Sequence, residues 1–332
     1  MMDERDSNYT QVGPQSETVA TGAKMATQPG GSKDDEALLE LIAERIKSAR
    51  CILFLGSGVH RPPGKDSPYV YKDEECPPVG PGLARLLAAK SHFKQKFPDP
   101  SESEDNLMRV SQHYELNTFR QTLIEEIHQA CQEGKQPSAV VRALARLDFP
   151  LVITTNYDRL YESALQQANK GFARSIYDPE RMKIEDCRPQ LRNNQWELEP
   201  KKPFILKVHG DIETPRSIVV TDEDYVRFVA RMSDKDPNNP VPKNVRALLS
   251  RWSTLFIGYS LRDYNLRLLF NTLRWRIDAA DIPACYSIDL RPDPLIFEVY
   301  HDKRRYIKFI KQDMWTIVPR LYKKVTGEEM PK

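Results

Sequence analysis

Four short segments hold the residues of this chain that are best suited to chemistry, and each follows a short apolar run. They are Gly56-Ser57-Gly58, Thr154-Thr155-Asn156-Tyr157-Asp158, His209-Gly210-Asp211 and Gly258-Tyr259-Ser260. A histidine accepts protons near neutral pH, an asparagine amide both donates and accepts hydrogen bonds, and a glycine turn lets backbone approach a phosphate. Together these groups suit the binding of a nucleotide and the activation of a water or hydroxyl beside it.

The apolar runs themselves predict the fold. Runs such as Ile52 to Leu55 and Leu151 to Ile153 are short and partly β-branched, which is typical of buried strands in a parallel sheet. Open α/β sheets bind ligands at the carboxyl ends of their strands. We therefore expect an α/β protein with a Rossmann-like parallel sheet, helices on both faces, and the four segments at one crevice.

Asn156 and His209 are the candidate catalytic residues. The Asn156 amide is able to fix a ribose hydroxyl or a water. His209 is the only histidine directly at the end of an apolar run, and the glycine after it lets a bulky group come near. A lone histidine is more often structural than catalytic, but its place among three similar segments favours a general base.

The remaining candidates are predicted to bind the nucleotide, and they are Gly56, Ser57, Gly58, Thr155, Asp158, Gly258 and Ser260. A plain tight turn explains the first glycine segment about as well, because Arg61 stands where a dinucleotide fingerprint has its third glycine. Asp158 is as well suited to capping the next helix. Gly258-x-Ser260 resembles the nucleophile elbow of esterases, but Arg262 replaces the glycine that this elbow needs.

The other elements are predicted from periodicity and turn residues. Residues 1–33 are polar and are expected to form a disordered tail, so the folded domain would span 34–332. Helices are expected at 34–48, through 104–147, after Asp158, from a capped start at Thr221, at 243–252, at 262–277 and at 308–325, with a strand at 285–288. The helices around 92–147 would form an inserted module. Residues 170–203 are expected to be irregular.

The loop at 59–82 is long and rich in proline. Loops of this length in a compact domain are often lids or binding loops. With so little apolar content, we expect it to pack loosely and to open and close over the nucleotide.

Composition excludes several classes of protein. The 332 residues carry 49 Lys plus Arg against 47 Asp plus Glu, which gives no general case for nucleic-acid binding and leaves direct contact with nucleic acid open. No apolar stretch is long enough to span a membrane and no signal peptide is visible, so we expect a cytoplasmic protein. The five cysteines are scattered without a C-x-x-C pair, which argues against disulfides and a zinc ribbon and predicts no metal.

Taken together, the four segments resemble the SIR2-like (sirtuin-like) family. Sirtuins carry a Gly-Ala-Gly loop, a Thr-Gln-Asn-x-Asp segment, a His-Gly pair and a Gly-Thr-Ser turn, and the segments here match them in kind and order. The resemblance spans about residues 40–290. It is closest to the NAD-hydrolysing SIR2 proteins of bacterial anti-phage defence, with further matches in Lys207 to Asp211, Thr221 to Tyr225 and Asp263.

This resemblance implies an NAD+ glycohydrolase that releases nicotinamide and ADP-ribose and depletes NAD during infection. NAD would be the substrate, Asn156 and His209 the catalytic residues, and no metal would be needed. The resemblance also implies a homo-oligomer and, for some members, a hexameric helicase-like ATPase as partner.

Three alternatives belong to other functional classes. A sirtuin-type protein deacylase is disfavoured because its four-cysteine zinc ribbon should follow the His-Gly pair, and only Cys285 lies downstream. A non-catalytic nucleotide sensor or scaffold would not need Asn156 and His209. A nuclease component acting with an ATPase would need a metal-binding carboxylate cluster, which the sequence does not suggest.

Overall fold

The computed structural model describes residues 33–179, 191–192, 195–196, 198–199, 201–234, 238–259, 261, 283–301 and 307–332. Several sequence-based predictions fall outside these residues. They are the tail that was predicted to be disordered, up to residue 32, the helix predicted at 262–277, one of the five cysteines (Cys187) and the candidate residue Ser260. No helix among the described residues is long and apolar enough to cross a membrane.

A seven-stranded parallel sheet forms the centre of the protein, so the predicted α/β class is confirmed. The described residues hold strands β1 (Cys51–Leu55), β2 (Leu151–Thr154), β3 (Ala173–Ile176), β4 (Leu191–Arg192), β5 (Gln195–Trp196), β6 (Phe204–Lys207), β7 (Ser253–Ile257), β8 (Cys285–Ile288) and β9 (Ile307–Ile310). The order in the sheet is β3-β6-β2-β1-β7-β8-β9, and β4 and β5 pair separately. Chain order therefore changes direction at β1, which has β2 on one side and β7 on the other. This is the switch point at which open sheets bind ligands.

Helices cover both faces of the sheet, as the sequence predicts. In the described residues they are α1 (Lys33–Lys47), α2 (Gly80–Lys90), α3 (Phe93–Lys96), α4 (Leu107–Asn117), α5 (Arg120–Cys131), α6 (Ala139–Arg146), α7 (Leu160–Gln167), α8 (Asp222–Arg231), α9 (Lys243–Leu249), α10 (Pro294–His301) and α11 (Met314–Thr326). The buried residues of α1, α6, α7 and α11 form one apolar cluster with alternate strand residues such as Leu53. Those of α8, α9 and α10 form a second cluster with the intervening residues such as Phe54.

A third apolar cluster lies in the helices between β1 and β2. Helices α2 to α5 contribute residues such as Leu87 and Leu123, and the cluster also includes Tyr157, Ile218 and Val220 from segments that follow β2 and β6. Helical structure was predicted through this region and is present. As a separate domain division, the inserted module around 92–147 stays a prediction.

Two edge strands were not predicted. β3 lies in the stretch expected to be irregular, and β9 occupies the start of the helix expected at 308–325, so α11 begins only at Met314. Both strands are four residues long and carry a charged residue, Arg174 or Lys308. Because an edge strand has one neighbour and a partly exposed face, it lacks the continuous apolar run that marks the central strands.

The loop at 59–82 packs more firmly than the sequence suggests. Val59 and Tyr71 are buried, and the Tyr71 hydroxyl donates a hydrogen bond to the Gln136 carbonyl at 2.8 Å. The Trp315 indole N–H donates to the Arg61 carbonyl at 3.0 Å. The expectation of loose packing is therefore wrong at these anchor points, because Tyr71 of the loop and Trp315 of α11 make hydrogen bonds that the loop's overall composition does not reveal.

Candidate active site

A cavity of about 850 Å³ lies at the carboxyl ends of the central strands. It is lined by every described residue among the site candidates, namely Gly56, Ser57, Gly58, Thr155, Asn156, Asp158, His209 and Gly258. The volume lies within the range of small-molecule sites, which is about 300–1,000 Å³. The segments following β1, β2, β6 and β7 thus meet at one cavity, and Ser260 lies outside the described residues.

The glycine segments after β1 and β7 are packed directly against each other. The Gly58 backbone N–H donates to the Gly258 carbonyl at 2.9 Å, and the Gly56 N–H donates to the Ile257 carbonyl at 3.0 Å. Gly258 has a φ of +73°, and a Cβ added there would lie 2.2 Å from the Val59 backbone nitrogen. These glycines therefore permit a close contact between two loops, which is a role beyond the phosphate contact suggested by the sequence.

Ser57 and Thr155 have partners within the protein. The Ser57 hydroxyl accepts from the backbone N–H of Gly80, the first residue of α2, at 3.3 Å. The Tyr259 hydroxyl donates to the Thr155 hydroxyl oxygen at 2.5 Å. Both side chains line the cavity while linking neighbouring loops. Their predicted contact with a nucleotide stays a prediction.

Asn156 lies at the turn after β2, where its neighbours fix its backbone. The Thr154 hydroxyl donates to the Leu55 carbonyl at 3.0 Å and accepts from the Asn156 backbone N–H at 3.0 Å. The Asn156 Nδ2 atom lies 3.4 Å from Nε2 of His60. Its Oδ1 atom is buried and has no hydrogen-bond partner among the described residues. The amide is thus held in place with a polar atom unsatisfied.

Asp158 binds the first backbone N–H of the next helix and also contacts a histidine. Its Oδ1 accepts from the Leu160 backbone N–H at 3.0 Å, and its Oδ2 lies 3.1 Å from His60 Nε2. Burial acts to raise the pKa of Asp158, but His60, followed by Lys207 and the Leu160 N–H, holds that pKa below its usual value. One carboxylate oxygen therefore holds the first N–H of the helix, although Arg159 and not Asp158 occupies the N-cap position, and the other oxygen supports a cavity-lining side chain.

A buried ion-pair network lies beneath this turn. Lys207 is fully buried, and its Nζ donates to the Asp158 carbonyl at 2.5 Å and to the Tyr157 carbonyl at 3.3 Å. The same Nζ lies 2.9 Å from Asp211 Oδ2, which also contacts Arg174 at 3.1 Å. Buried charges are tolerated only when they are paired and hydrogen-bonded. This network therefore fixes the backbone of the segment that carries Asn156.

His209 is buried between aromatic rings. Its ring packs edge-on against Tyr225 and Phe228 of α8, with centroid distances of 5.1 Å and 5.0 Å. The predicted capping box of Thr221 and Asp224 is present and fixes the start of that helix. Gly210 has a φ of +89° and a Cβ there would lie 2.1 Å from the Ser217 carbonyl oxygen. The glycine after His209 thus serves a tight turn within the protein.

Sequence reasoning missed His60, and it gave Lys207 no role beyond its place in the resemblance. His60 does not directly follow an apolar run as His209 does, but it comes five residues after β1 and lines the same cavity. Its position two residues after the Gly56-Ser57-Gly58 segment was the available signal. Lys207 is the last residue of a strand, and a lysine in an otherwise apolar run is the mark of a paired buried charge. Among the described residues, no group of three or more His, Cys, Asp or Glu side chains is arranged to hold a metal ion.

One family model matches the part of the chain that carries Asn156 and His209. The family model described as "SIR2-like domain" matches residues 150–312. This stretch holds both candidate catalytic residues, and β1 with its glycine segment lies before it. The resemblance predicted from the four segments is therefore confirmed.

Curated relatives extend the match across more of the chain. The NAD(+) hydrolase ThsA of Enterococcus faecium is 26% identical over 249 residues, which cover 73% of this chain and 44% of that protein. The NAD(+) hydrolase ThsA of Bacillus cereus (strain MSX-D12) is 28% identical over 268 residues, covering 75% and 51%. Defense-associated sirtuin 2 of Bacillus subtilis is 28% identical over 159 residues, covering 46% and 14%. The chain spans about half the length of these relatives or less.

Proposed function

We propose that this protein, whose residues 150–312 match a SIR2-like domain, is an NAD+ glycohydrolase that releases nicotinamide and ADP-ribose. The observation that carries the proposal is the meeting of Asn156, Asp158, His209 and the two glycine segments at one cavity. Relatives named NAD(+) hydrolase support the choice of NAD among nucleotides.

The reaction suits these side chains. The bond between the ribose C1′ and the pyridinium nitrogen breaks, and its electron pair neutralises the nitrogen, so nicotinamide leaves without a general acid. Water forms the new bond to C1′ and gives up a proton, and the transition state has oxocarbenium character, as in other glycoside cleavage. The Asn156 amide orients the ribose or the water, and His209 accepts a proton from the water or a ribose hydroxyl.

The glycine segments bind the opposite end of the substrate in this proposal. Gly56, Ser57 and Gly58 face the pyrophosphate, and Gly258 with Ser260 contacts a phosphate or ribose. Thr155 and Asp158 support the ribose side. NAD is a substrate here, and no metal takes part.

The proposal also covers the biological setting. Two of the relatives are named NAD(+) hydrolase ThsA and defense-associated sirtuin 2, and these names support our proposal that this protein depletes NAD in anti-phage defence. We further propose that it acts in the cytoplasm as a homo-oligomer. A hexameric helicase-like ATPase is the proposed activating partner.

Nicotinamide release from NAD tests the proposal directly. The full chain, alone and with the candidate ATPase, is incubated with NAD, and nicotinamide and ADP-ribose are quantified. We expect equal amounts of both products. Replacing Asn156 by alanine should slow release about 10²- to 10³-fold, and His209→Ala about 10²- to 10⁴-fold. Asn117→Ala, on the exposed end of α4, serves as the matched control.

Two results would overturn this assignment. Full activity in both the Asn156 and His209 variants would remove these residues from the chemistry. Consumption of an acetylated lysine peptide in step with NAD would identify a deacylase instead.

A further inference from the structure

His60 is a buried histidine of the candidate site that has no role in the reaction described above. It ends the short turn Ser57–His60 after β1, and its side chain is 2% exposed. Its contacts are with Asn156 and Asp158, which follow β2 and lie 96 and 98 residues further along the chain. His60 therefore connects the glycine segment after β1 to the polar segment after β2.

The hydrogen of His60 Nε2 is assigned by its neighbours. A carboxylate only accepts hydrogen bonds, and Asp158 Oδ2 at 3.1 Å is closer than Asn156 Nδ2 at 3.4 Å. Nε2 therefore carries a hydrogen and donates it to Asp158. Since the Asn156 NH₂ group is also a donor, it contacts the ring edge without a strong hydrogen bond and stays available to other partners.

Asp158 is a firm support for this ring. Its second oxygen is held by the Leu160 backbone N–H, and its own carbonyl accepts from the buried Lys207 ammonium at 2.5 Å. His60 is the one side chain among the described residues that hydrogen-bonds the Asp158 carboxylate. Turning the imidazole would break this bond and leave a buried carboxylate short of a donor, which is costly.

The fixed ring in turn limits where the Asn156 side chain lies. The backbone of Asn156 is held by Thr154, and its amide nitrogen rests against the His60 ring edge. Without the imidazole, that side of the amide would face empty space, and the side chain would gain rotamers. In an enzyme site, a displacement of about 1 Å in a reacting group is able to cost about 10²-fold in rate.

We propose that His60 is a positioning residue, which is held by Asp158 and keeps the Asn156 amide in its reactive orientation. The inference rests on the proposed function, because it assigns the orientation a purpose in NAD hydrolysis. It assigns His60 no contact with the substrate.

Two conservative variants separate positioning from direct proton transfer. The Gln side chain places an amide N–H about where histidine has Nε2, so His60→Gln still reaches Asp158. The shorter His60→Asn reaches only the Nδ1 position. We expect kcat for nicotinamide release to fall about 10- to 100-fold in His60→Ala and His60→Asn, with KM changed less than about threefold. His60→Gln should stay within about fivefold of the wild type.

The outcomes are distinct. Equal loss in His60→Gln and His60→Ala would overturn positioning in favour of direct proton transfer by the imidazole, whose Nδ1 has no partner among the described residues. Wild-type kcat in His60→Ala would also overturn it. His113→Ala, a histidine packed between Phe93 and Phe97, controls for loss of a ring elsewhere and should retain full activity.

A double-mutant cycle tests the inference even if the chain releases no nicotinamide. The urea midpoint of unfolding is measured for His60→Ala, Asp158→Ala and the double variant. We expect the two losses of stability to be strongly non-additive, because each residue is the other's partner. The urea midpoint of the double variant should lie close to that of the less stable single variant. The pair His113→Ala and Asp158→Ala should be additive. Additive His60 and Asp158 effects would contradict the inference, whereas absent nicotinamide release with strong coupling would contradict only the proposed function.

Discussion

The two sides of the cavity are built by different means. The glycine side, made of Gly56, Gly58 and Gly258, is held by backbone hydrogen bonds between loops that leave no space for a Cβ. The polar side, made of the segments that carry Asn156 and His209, is held by side chains. Its supports are the Asp158–His60 contact, the Lys207 ion pairs and the aromatic rings around His209.

Substitutions on the two sides should therefore fail for different reasons, through steric clashes on the glycine side and through lost charges or hydrogen bonds on the polar side. On the glycine side, adding a single carbon creates a clash, so substitution affects the fold before it affects chemistry. On the polar side, side chains of similar size fit, and the consequence depends on which charge or hydrogen bond is lost.

The largest effect is expected at Gly258. Gly258→Ala would place a Cβ 2.2 Å from the Val59 backbone nitrogen and 2.6 Å from the Gly56 carbonyl oxygen, in a left-handed conformation. We expect a loss of more than about 4 kcal/mol in the free energy of unfolding, measured by urea denaturation. Gly134→Ala is the matched control, since Gly134 has a φ of +68° but nothing within 4 Å of the added Cβ. It should cost only about 1–2 kcal/mol. Equal losses would show that backbone strain, and not the contact between the loops, defines the glycine side.

A smaller loss is expected for the charge network of the polar side. Lys207 Nζ also lies 3.5 Å from Glu162 Oε1. Lys207→Met keeps the length of the side chain but leaves Asp211 and Glu162 with Arg174 as their one remaining cation within the described part of the chain. Breaking a buried pair costs about 3–5 kcal/mol in the free energy of unfolding. Lys90→Met removes a surface pair with Glu126, and should cost less than about 1 kcal/mol. A Lys207 variant as stable as the Lys90 variant would contradict the role given to the network.

The charge of Asp158 should make part of the stability depend on pH. Its pKa in the folded protein lies below the usual value, so the ionised carboxylate stabilises the fold above about pH 4, and this contribution is lost as pH falls through the folded pKa. Asp158→Asn removes the charge but keeps an oxygen that accepts from the Leu160 backbone N–H. The difference in unfolding free energy between wild type and this variant should therefore be constant above about pH 5 and shrink as the pH falls below about 4. A difference that also stays constant at low pH would show that the charge of Asp158 is not what stabilises the turn.

The smallest effect is expected at Ser57, whose side chain lies between Gly56 and Gly58 in the chain. Ser57→Ala removes an acceptor for the Gly80 N–H, which is worth about 0.5–1.5 kcal/mol in the free energy of unfolding. If this side acts through its backbone, KM for NAD should barely change. A rise in KM of about tenfold, or about 1.4 kcal/mol, would instead indicate that the hydroxyl binds the nucleotide.

Sequence alone predicted the central strands because each one is a continuous apolar run. The polar residues after β1, β2, β6 and β7 were correctly placed at one edge, since parallel strands share a direction. The contacts of His60 were not predictable, because they join residues that are 98 positions apart and depend on the path of a loop. The edge strands β3 and β9 were missed for want of an apolar run. The contact between Gly58 and Gly258 was missed because a glycine in a sequence motif indicates that a side chain would not fit there, but it does not identify the neighbouring atoms.

The most direct test of the two-sided cavity is an experimental structure of the Asn156→Ala variant with NAD bound. We expect the pyrophosphate along Gly56 to Gly58 and the nicotinamide ribose beside Asp158 and His209. We also expect the hydrogen bond between the Gly58 N–H and the Gly258 carbonyl to stay at 2.9 Å. A pyrophosphate bound on the polar side, or NAD bound away from this cavity, would show that the glycine side does not bind the phosphates and that the polar side does not hold the reacting ribose.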